Sequence, residues 1–262
     1  MAVYAIIGTG NMGGALARGL CKKIAPRQII LFNRTPAKAQ KLADELGCSV
    51  AATAREAVQA ADYILLGVKP YMMAGVIAGI APALRKDAVL ISMAPGIAME
   101  EVRSMAGGGF AVIRIMPNTP VAVGAGMTLY AVDSHVPEAV LGTFLDDLSA
   151  SGRFVKLDEH LFEAGSAVSG CGPAFAALFM EALADGGVAC GLPRSQALEL
   201  AAQMMAGTAK LALSGLHPGP LKDQVCSPGG TTIQGVRALE KGGLRSAVME
   251  AVIAAYDKSV GK

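Results

Sequence analysis

The chain has 262 residues, of which 53% are hydrophobic and 17% charged, with 32 glycines, 13 prolines and no tryptophan. That balance excludes a disordered chain, which needs low hydrophobicity and high charge, and the length suits one or two domains with a substantial core. A formal net charge of +2 argues against a nucleic-acid partner, and a mean hydropathy of +0.46 points to apolar surface hidden at a subunit interface.

No membrane association is expected. The uncharged stretches 115–132 and 164–180 approach the ~20 residues of a spanning helix, yet Pro117, Asn118 and Pro120 interrupt the first and Gly170, Gly172 and Pro173 the second. The N-terminus lacks a basic region ahead of its apolar run and does not read as a signal peptide. Five cysteines, odd in number and without a CxxC pair, read as reduced thiols in a cytoplasmic protein.

In chain order, Val3–Ile7, Ile29–Phe32, Tyr63–Val68, Val89–Met93 and Ala111–Met116 are short β-rich apolar runs, the pattern of buried parallel strands. Gly14–Lys23, Pro36–Leu46 and Glu56–Ala60 lie between them as helices, and Thr128–Val132 and Phe154–Leu157 read as added edge strands. Alternating strand and helix predicts a doubly wound α/β sheet over residues 1–157. From residue 158 to 262 the strand signal stops. Leu161–Val168, Ala174–Cys190, Arg194–Leu213, Thr232–Glu240 and Leu244–Ser259 read as helices, several apolar on more than one face, as a bundle shared between subunits would be.

Gly8-Thr9-Gly10-Asn11-Met12-Gly13 follows the first strand and opens a helix. In that context the motif predicts dinucleotide binding: Gly8 for the tight turn, Gly10 for close approach of the pyrophosphate, Gly13 for helix-on-strand packing. Twenty residues after Gly13 stands Asn33-Arg34-Thr35-Pro36, where an acidic residue would bind a free ribose 2′-hydroxyl. Arg34, with Asn33 and Thr35, suits a 2′-phosphate instead, so NADPH is expected, with NADH as an alternative donor. Thr35 also reads as a helix cap ahead of Pro36, and both roles can hold.

Three further segments sit where strand carboxyl ends place ligands: Gly67-Val68-Lys69-Pro70, Met93-Ala94-Pro95-Gly96 and Met116-Pro117-Asn118-Thr119-Pro120. Each equally suits an ordinary strand-to-helix turn, and Lys69 a solvated loop. Near the C-terminus, Ser227-Pro228-Gly229-Gly230-Thr231-Thr232 precedes an amphipathic run. The N–H groups of Gly230, Thr231 and Thr232 would form a carboxylate site at a helix start, or a threonine there simply caps the helix. His135, His160 and His217 show no metal spacing, so no metal is expected. No lysine lies between Lys156 and Lys210, which removes the amine that alcohol oxidation would use and leaves imine reduction open.

Over essentially its whole length the sequence resembles the pyrroline-5-carboxylate reductase family. The resemblance rests on Gly8–Gly13, Asn33-Arg34, Val68-Lys69-Pro70, Met116–Pro120, Ser169-Gly170-Cys171-Gly172-Pro173-Ala174-Phe175 and Asp223–Ile233 followed by Leu239-Glu240. It implies a Rossmann-type domain, an all-helical C-terminal dimerisation domain, and NAD(P)H-dependent reduction of L-1-pyrroline-5-carboxylate to L-proline, the last step of proline biosynthesis. It implies a homodimer with interleaved helical domains, or a ring of dimers, the nicotinamide facing a pocket completed by the partner's helices. By the same resemblance Val225, Gly229, Gly230, Thr231 and Thr232 hold the substrate, with the Thr232 hydroxyl on the ring nitrogen. Val68, Lys69, Pro70, Ala94 and Asn118 line the cofactor. Some relatives carry an Asn contacting the adenosine where this chain has Ala54, and Cys171 and Cys226 stand where relatives often have Ser. Competing readings are a β-hydroxyacid dehydrogenase, a non-catalytic NADP-binding sensor, and reduction of a related cyclic imine.

Overall fold

The computed structural model describes residues 2–262, which divide into two compact units. The first runs to Gly170 and takes in Tyr256–Lys262; the second is Cys171–Ala255.

The first unit is built on one sheet. Its strands are β1 (Tyr4–Ile7), β2 (Ile29–Phe32), β3 (Ser49–Val50), β4 (Tyr63–Leu66), β5 (Val89–Ser92), β6 (Ala111–Pro117), β7 (Gly126–Val132) and β8 (Gly152–Lys156). Their order is β3-β2-β1-β4-β5-β6-β7-β8, with every pairing parallel except β6 with β7. The helices are α1 (Asn11–Leu20), α2 (Pro36–Leu46), α3 (Ala54–Val58), α4 (Met73–Ile80), α5 (Met99–Met105), α6 (Glu138–Asp147) and α7 (Phe162–Ser169).

Side chains alternate across a strand, and β1 shows the result. Tyr4 and Ile6 pack with Leu16 and Leu20 of α1, Leu42 of α2 and Phe144 of α6. Ala5 and Ile7 face the other way, onto Ala57 and Val58 of α3, Ile77 of α4 and Val102 of α5. Both faces of the sheet are therefore covered, which is why its strands are continuous apolar runs. Each fully buried Leu or Ile contributes roughly 1.5–3 kcal/mol. One polar contact crosses this packing: the Tyr4 hydroxyl donates to Asp147 at 2.7 Å while its ring stacks on Tyr63. Burial, then that bond, push the Tyr4 phenol far above its ordinary range.

Two expectations change in detail. Thr128–Val132 is not an edge: β7 lies between β6 and β8, pairing antiparallel with one and parallel with the other. Only β8 of that pair ends the sheet, opposite the two-residue β3. The chain also forms α4, α5 and α6, which periodicity left unassigned.

The second unit contains α8 (Gly172–Ala189), α9 (Arg194–Leu213), α10 (Pro218–Val225) and α11 (Thr231–Lys241), with α12 (Leu244–Ser259) running to the unit's end and beyond. Helices α8 and α9 pack on each other, Gly187 lying against Ala197 and Leu192. Among the residues described in this unit, only Ala184, Ala197 and Ala201 are buried. Leu178, Leu200, Leu213 and Met249 are all more than half exposed, at 69%, 60%, 60% and 59%.

By length and composition the run Glu159–Ala189 is apolar enough to cross a membrane. It is not one continuous helix: α7 ends at Ser169, and α8 begins at Gly172 with Pro173 in its first turn.

Candidate active site

The crossover from β1–β3 to β4 on the other side of β1 creates a switch point, where open α/β sheets bind ligands at their strand carboxyl ends. Gly8 leaves β1 there with φ +105°, a conformation that L side chains rarely adopt. A Cβ on Gly8 would stand 2.5 Å from the Gly67 carbonyl oxygen at the end of β4, and one on Gly13 would overlap the Gly8 carbonyl. These two glycines let the strand ends and α1 close up. Gly10 differs: a Cβ there would meet nothing within 4 Å, so its bare backbone faces open space.

Asn33, after β2, organises the loop. Its Oδ1 accepts from the Thr9 N–H at 3.1 Å, and its Nδ2 donates to the Thr35 carbonyl at 3.1 Å. Thr35 occupies the cap position of α2 with Pro36 behind it, yet its hydroxyl makes no capping bond. Arg34 is exposed and forms no ion pair among the described residues. The Thr9 hydroxyl is buried without a partner. Asn11 and Met12 open α1.

A cleft of about 310 Å³ runs from this loop between α1 and α2, lined by Thr9, Gly10, Asn11, Arg18, Lys38 and Lys41 among others. Lys38 and Lys41 escaped the motif reading; a lysine four positions after Arg34 at a helix start was the available signal. Exposed backbone at a helix N-terminus, an unpartnered hydroxyl and the cations Arg34 and Lys38, neither in an ion pair among the described residues, fit a phosphate-bearing dinucleotide.

The other strand ends converge less fully. Val68 packs beside Gly8, its Cγ1 3.3 Å from a Cβ placed there. Lys69 is exposed and precedes the short turn Pro70–Met72. Ala94 is buried after β5, its N–H 3.4 Å from the Ser92 hydroxyl. Asn118 follows β6, and its side chain accepts from the Met127 N–H and donates to the Ser169 carbonyl, both at 2.9 Å. Ala54 begins α3 behind a capping box, in which the Thr53 hydroxyl accepts from the Glu56 N–H at 3.1 Å and the Thr53 N–H donates to the Glu56 carboxylate at 3.3 Å.

A larger cleft, about 950 Å³, opens at the opposite, amino-terminal ends of β4 and β5, beside Tyr63, Lys86 and His135. It lies away from the glycine loop, and size alone does not make it the site of chemistry.

In the second unit, Val225 ends α10 and is exposed. Gly229 turns the chain with φ +69° and Gly230 takes the cap position of α11, with Thr231 and Thr232 as its first residues. The Gly230 N–H departs from the expected outward set: it closes the turn onto the Ser227 carbonyl at 3.0 Å. The N–H groups of Thr231 and Thr232 stand at the helix start, where no intrahelical acceptor exists. Both threonines are exposed, and no side chain caps this helix.

Comparison with known proteins bears on both units. Residues 159–261 match the model described as "Pyrroline-5-carboxylate reductase dimerisation", and residues 3–96 the one described as "NADP oxidoreductase coenzyme F420-dependent". The chain is 44% identical to a pyrroline-5-carboxylate reductase of Synechocystis over 97% of its length and 96% of the relative's. It is 41% identical to that of Escherichia coli, over 97% and 95%. Its fold superimposes on the crystal structure of Plasmodium falciparum pyrroline carboxylate reductase with NADP bound, at a TM-score of 0.88, 30% identity, and coverage of 98% and 97%. Identity at this level across nearly the full length, over both the glycine-loop sheet and the helical unit, means that this chain belongs to the pyrroline-5-carboxylate reductase family.

Proposed function

We propose that this protein reduces L-1-pyrroline-5-carboxylate to L-proline with NADPH. The observation that carries the reading is the likeness over 97% of the chain to curated reductases of 41–44% identity. Reduction of the C=N bond adds a hydride to carbon and a proton to nitrogen, and NADPH supplies the hydride when bound. The chain's own residues bind and orient. Gly8–Gly13 and the start of α1 hold the pyrophosphate, Arg34 and Thr35 the ribose phosphate, and Val68, Lys69, Pro70, Ala94 and Asn118 line the dinucleotide. Asn33 fixes the loop that carries Arg34.

Val225, Gly229, Gly230, Thr231 and Thr232 take the substrate. The N–H groups of Thr231 and Thr232 meet its carboxylate at the positive end of α11, and the Thr232 hydroxyl hydrogen-bonds the ring nitrogen. A protonated imine is already electrophilic, so orientation and one hydroxyl suffice.

The working form is a homodimer, in which a second copy covers the apolar side chains left exposed on α8, α9 and α12. That reading also accounts for the apolar run Glu159–Ala189 without a bilayer. Five free thiols suit the cytoplasm.

The deciding experiment follows NADPH absorbance with pyrroline-5-carboxylate as substrate, with NADH run in parallel. Substrate-dependent oxidation with proline as product is expected. A folded, NADPH-binding protein that leaves this substrate untouched while reducing another cyclic imine would overturn the substrate assignment.

A further inference from the structure

The cleft between α1 and α2 carries more positive charge than the glycine motif accounts for. Thr9, Gly10 and Asn11 at the start of α1 form one wall; Lys38 and Lys41 of α2 stand on the other. Arg18 also lines the cleft, but the Glu45 carboxylate holds it in a bidentate pair at 2.7 and 2.6 Å, so those charges cancel. Lys41 lies within Coulombic reach of the same carboxylate. Lys38 forms no ion pair among the described residues. Its backbone N–H donates to the Thr35 carbonyl at 3.0 Å, and Asn33 Nδ2 donates to that same carbonyl. Lys38 is thereby fixed to the turn that presents Arg34. Thr9, 9% exposed, adds to the opposite wall a hydroxyl without a partner.

We propose that Lys38 is a specificity-determining residue for the phosphorylated cofactor, its ammonium meeting a phosphate monoester on the adenosine ribose together with Arg34. This inference rests on the reading of the protein as NADPH-dependent. The two cations complement each other. Arg34 offers a planar fork that matches two phosphate oxygens, whereas Lys38 offers a point charge on a flexible stem that follows the dianion. Both stand beside the helix N-terminus, which adds its own partial positive charge. Without the ribose phosphate neither cation has an anion to meet, so their effect is selective for the phosphorylated form.

The test measures binding of adenosine 2′,5′-bisphosphate and adenosine 5′-monophosphate to the full-length protein by calorimetry, without turnover. Lys38→Gln is expected to weaken the bisphosphate about tenfold, roughly one charge-assisted contact, and to leave the monophosphate unchanged. Lys38→Arg restores most of the loss. In turnover, Lys38→Gln raises KM for NADPH with little change in kcat. Lys86→Gln removes the same charge at the amino-terminal ends of the strands and leaves both affinities as in the parent. A parent protein that binds the two nucleotides equally would overturn the NADPH reading itself. A parent that discriminates while Lys38→Gln loses nothing, or loses equally for both nucleotides, would overturn the role of Lys38 alone.

Discussion

The Asn118 side chain donates to the Ser169 carbonyl at 2.9 Å across 51 positions of sequence, and its Oδ1 accepts from the Met127 N–H at the same distance. One amide thus joins the end of β6, the start of β7 and the last turn of α7. Asn118→Ala leaves two partly buried backbone groups without partners, at a cost of about 1–3 kcal/mol. A lower urea midpoint with unchanged slope is expected; a midpoint equal to the parent's would show that water replaces the amide without loss.

Arg114 ties the other end of α7. It lies on β6, nearly buried, with one guanidinium nitrogen on Glu159 at 3.3 Å, another on Glu163 at 2.7 Å, and Phe162 stacked 4.7 Å away. Its Nε has no partner. Arg114→Met takes the cation from both carboxylates, leaving Glu163 unpaired while Glu159 keeps the Met99 N–H at 2.8 Å, and is expected to cost about 3–5 kcal/mol. Adding Glu163→Gln to that variant recovers part of the loss, and strict additivity in the double-mutant cycle would refute the coupling.

Asp133 makes the sheet acid-sensitive at one point. Burial works against its ionised form, but the Arg103 guanidinium at 2.5 Å and the N–H groups of His135 and Val112 outweigh burial and hold its carboxyl below the ordinary range. A carboxylate with a depressed folded-state pKa stabilises fully above its unfolded value, near 4, and loses that contribution as pH falls through the folded value. The stability difference between parent and Asp133→Asn should therefore be constant above about pH 5 and shrink below pH 4. A difference that stays flat to pH 2 would place the effect in packing instead.

Cys21 ends α1 3.6 Å from Cys48, and both thiols are half-buried. Desolvation raises both, and Cys48 is pushed up to about 12, with its bond to Cys21 adding to burial. The thiolate is the nucleophile, so at pH 8 this pair should alkylate with iodoacetamide at least ~10-fold more slowly in the native protein than in urea. Peptide mass spectrometry of a labelling time course reads the ratio, and equal rates would contradict the burial.

Thr232→Ala removes one hydroxyl from an exposed helix start and no capping bond, so stability should hold within about 0.5 kcal/mol. A fall in kcat of about ten- to a hundredfold with unchanged NADPH affinity is expected if that hydroxyl bonds the ring nitrogen. Unchanged turnover would remove Thr232 from the chemistry.

The parallel strands were legible because burial on both faces makes them continuous apolar runs, and the glycine loop because its strand and helix flank it. The unread elements lacked such signals. Ser49 and Val50 of β3 are two residues, both exposed. Helix α4 reads Met-Ala-Gly-Val-Ile-Ala-Gly-Ile, with no polar face to set a period. In α10 the prolines and glycine that mark a break also begin the helix: Pro218 takes its first position and His217 Nδ1 accepts from the Gly219 N–H at 3.2 Å. Among the candidate site residues, Arg34, Thr231 and Thr232 were legible as residue types at helix starts. The closure of Gly230 onto Ser227 and the pairing of Arg18 with Glu45 were not, because each depends on coordinates that no local pattern encodes.

The sparse burial of Cys171–Ala255 has a thermodynamic consequence. A segment of 85 residues whose own chain buries only Ala184, Ala197 and Ala201 among those described draws its stability from contacts made outside itself. In the homodimer proposed above a second copy supplies those contacts, and the folding equilibrium of the segment then carries units of concentration. In that assembly dilution alone acts as a denaturant on this third of the chain, and a melting temperature measured for it has meaning only beside the protein concentration at which it was taken.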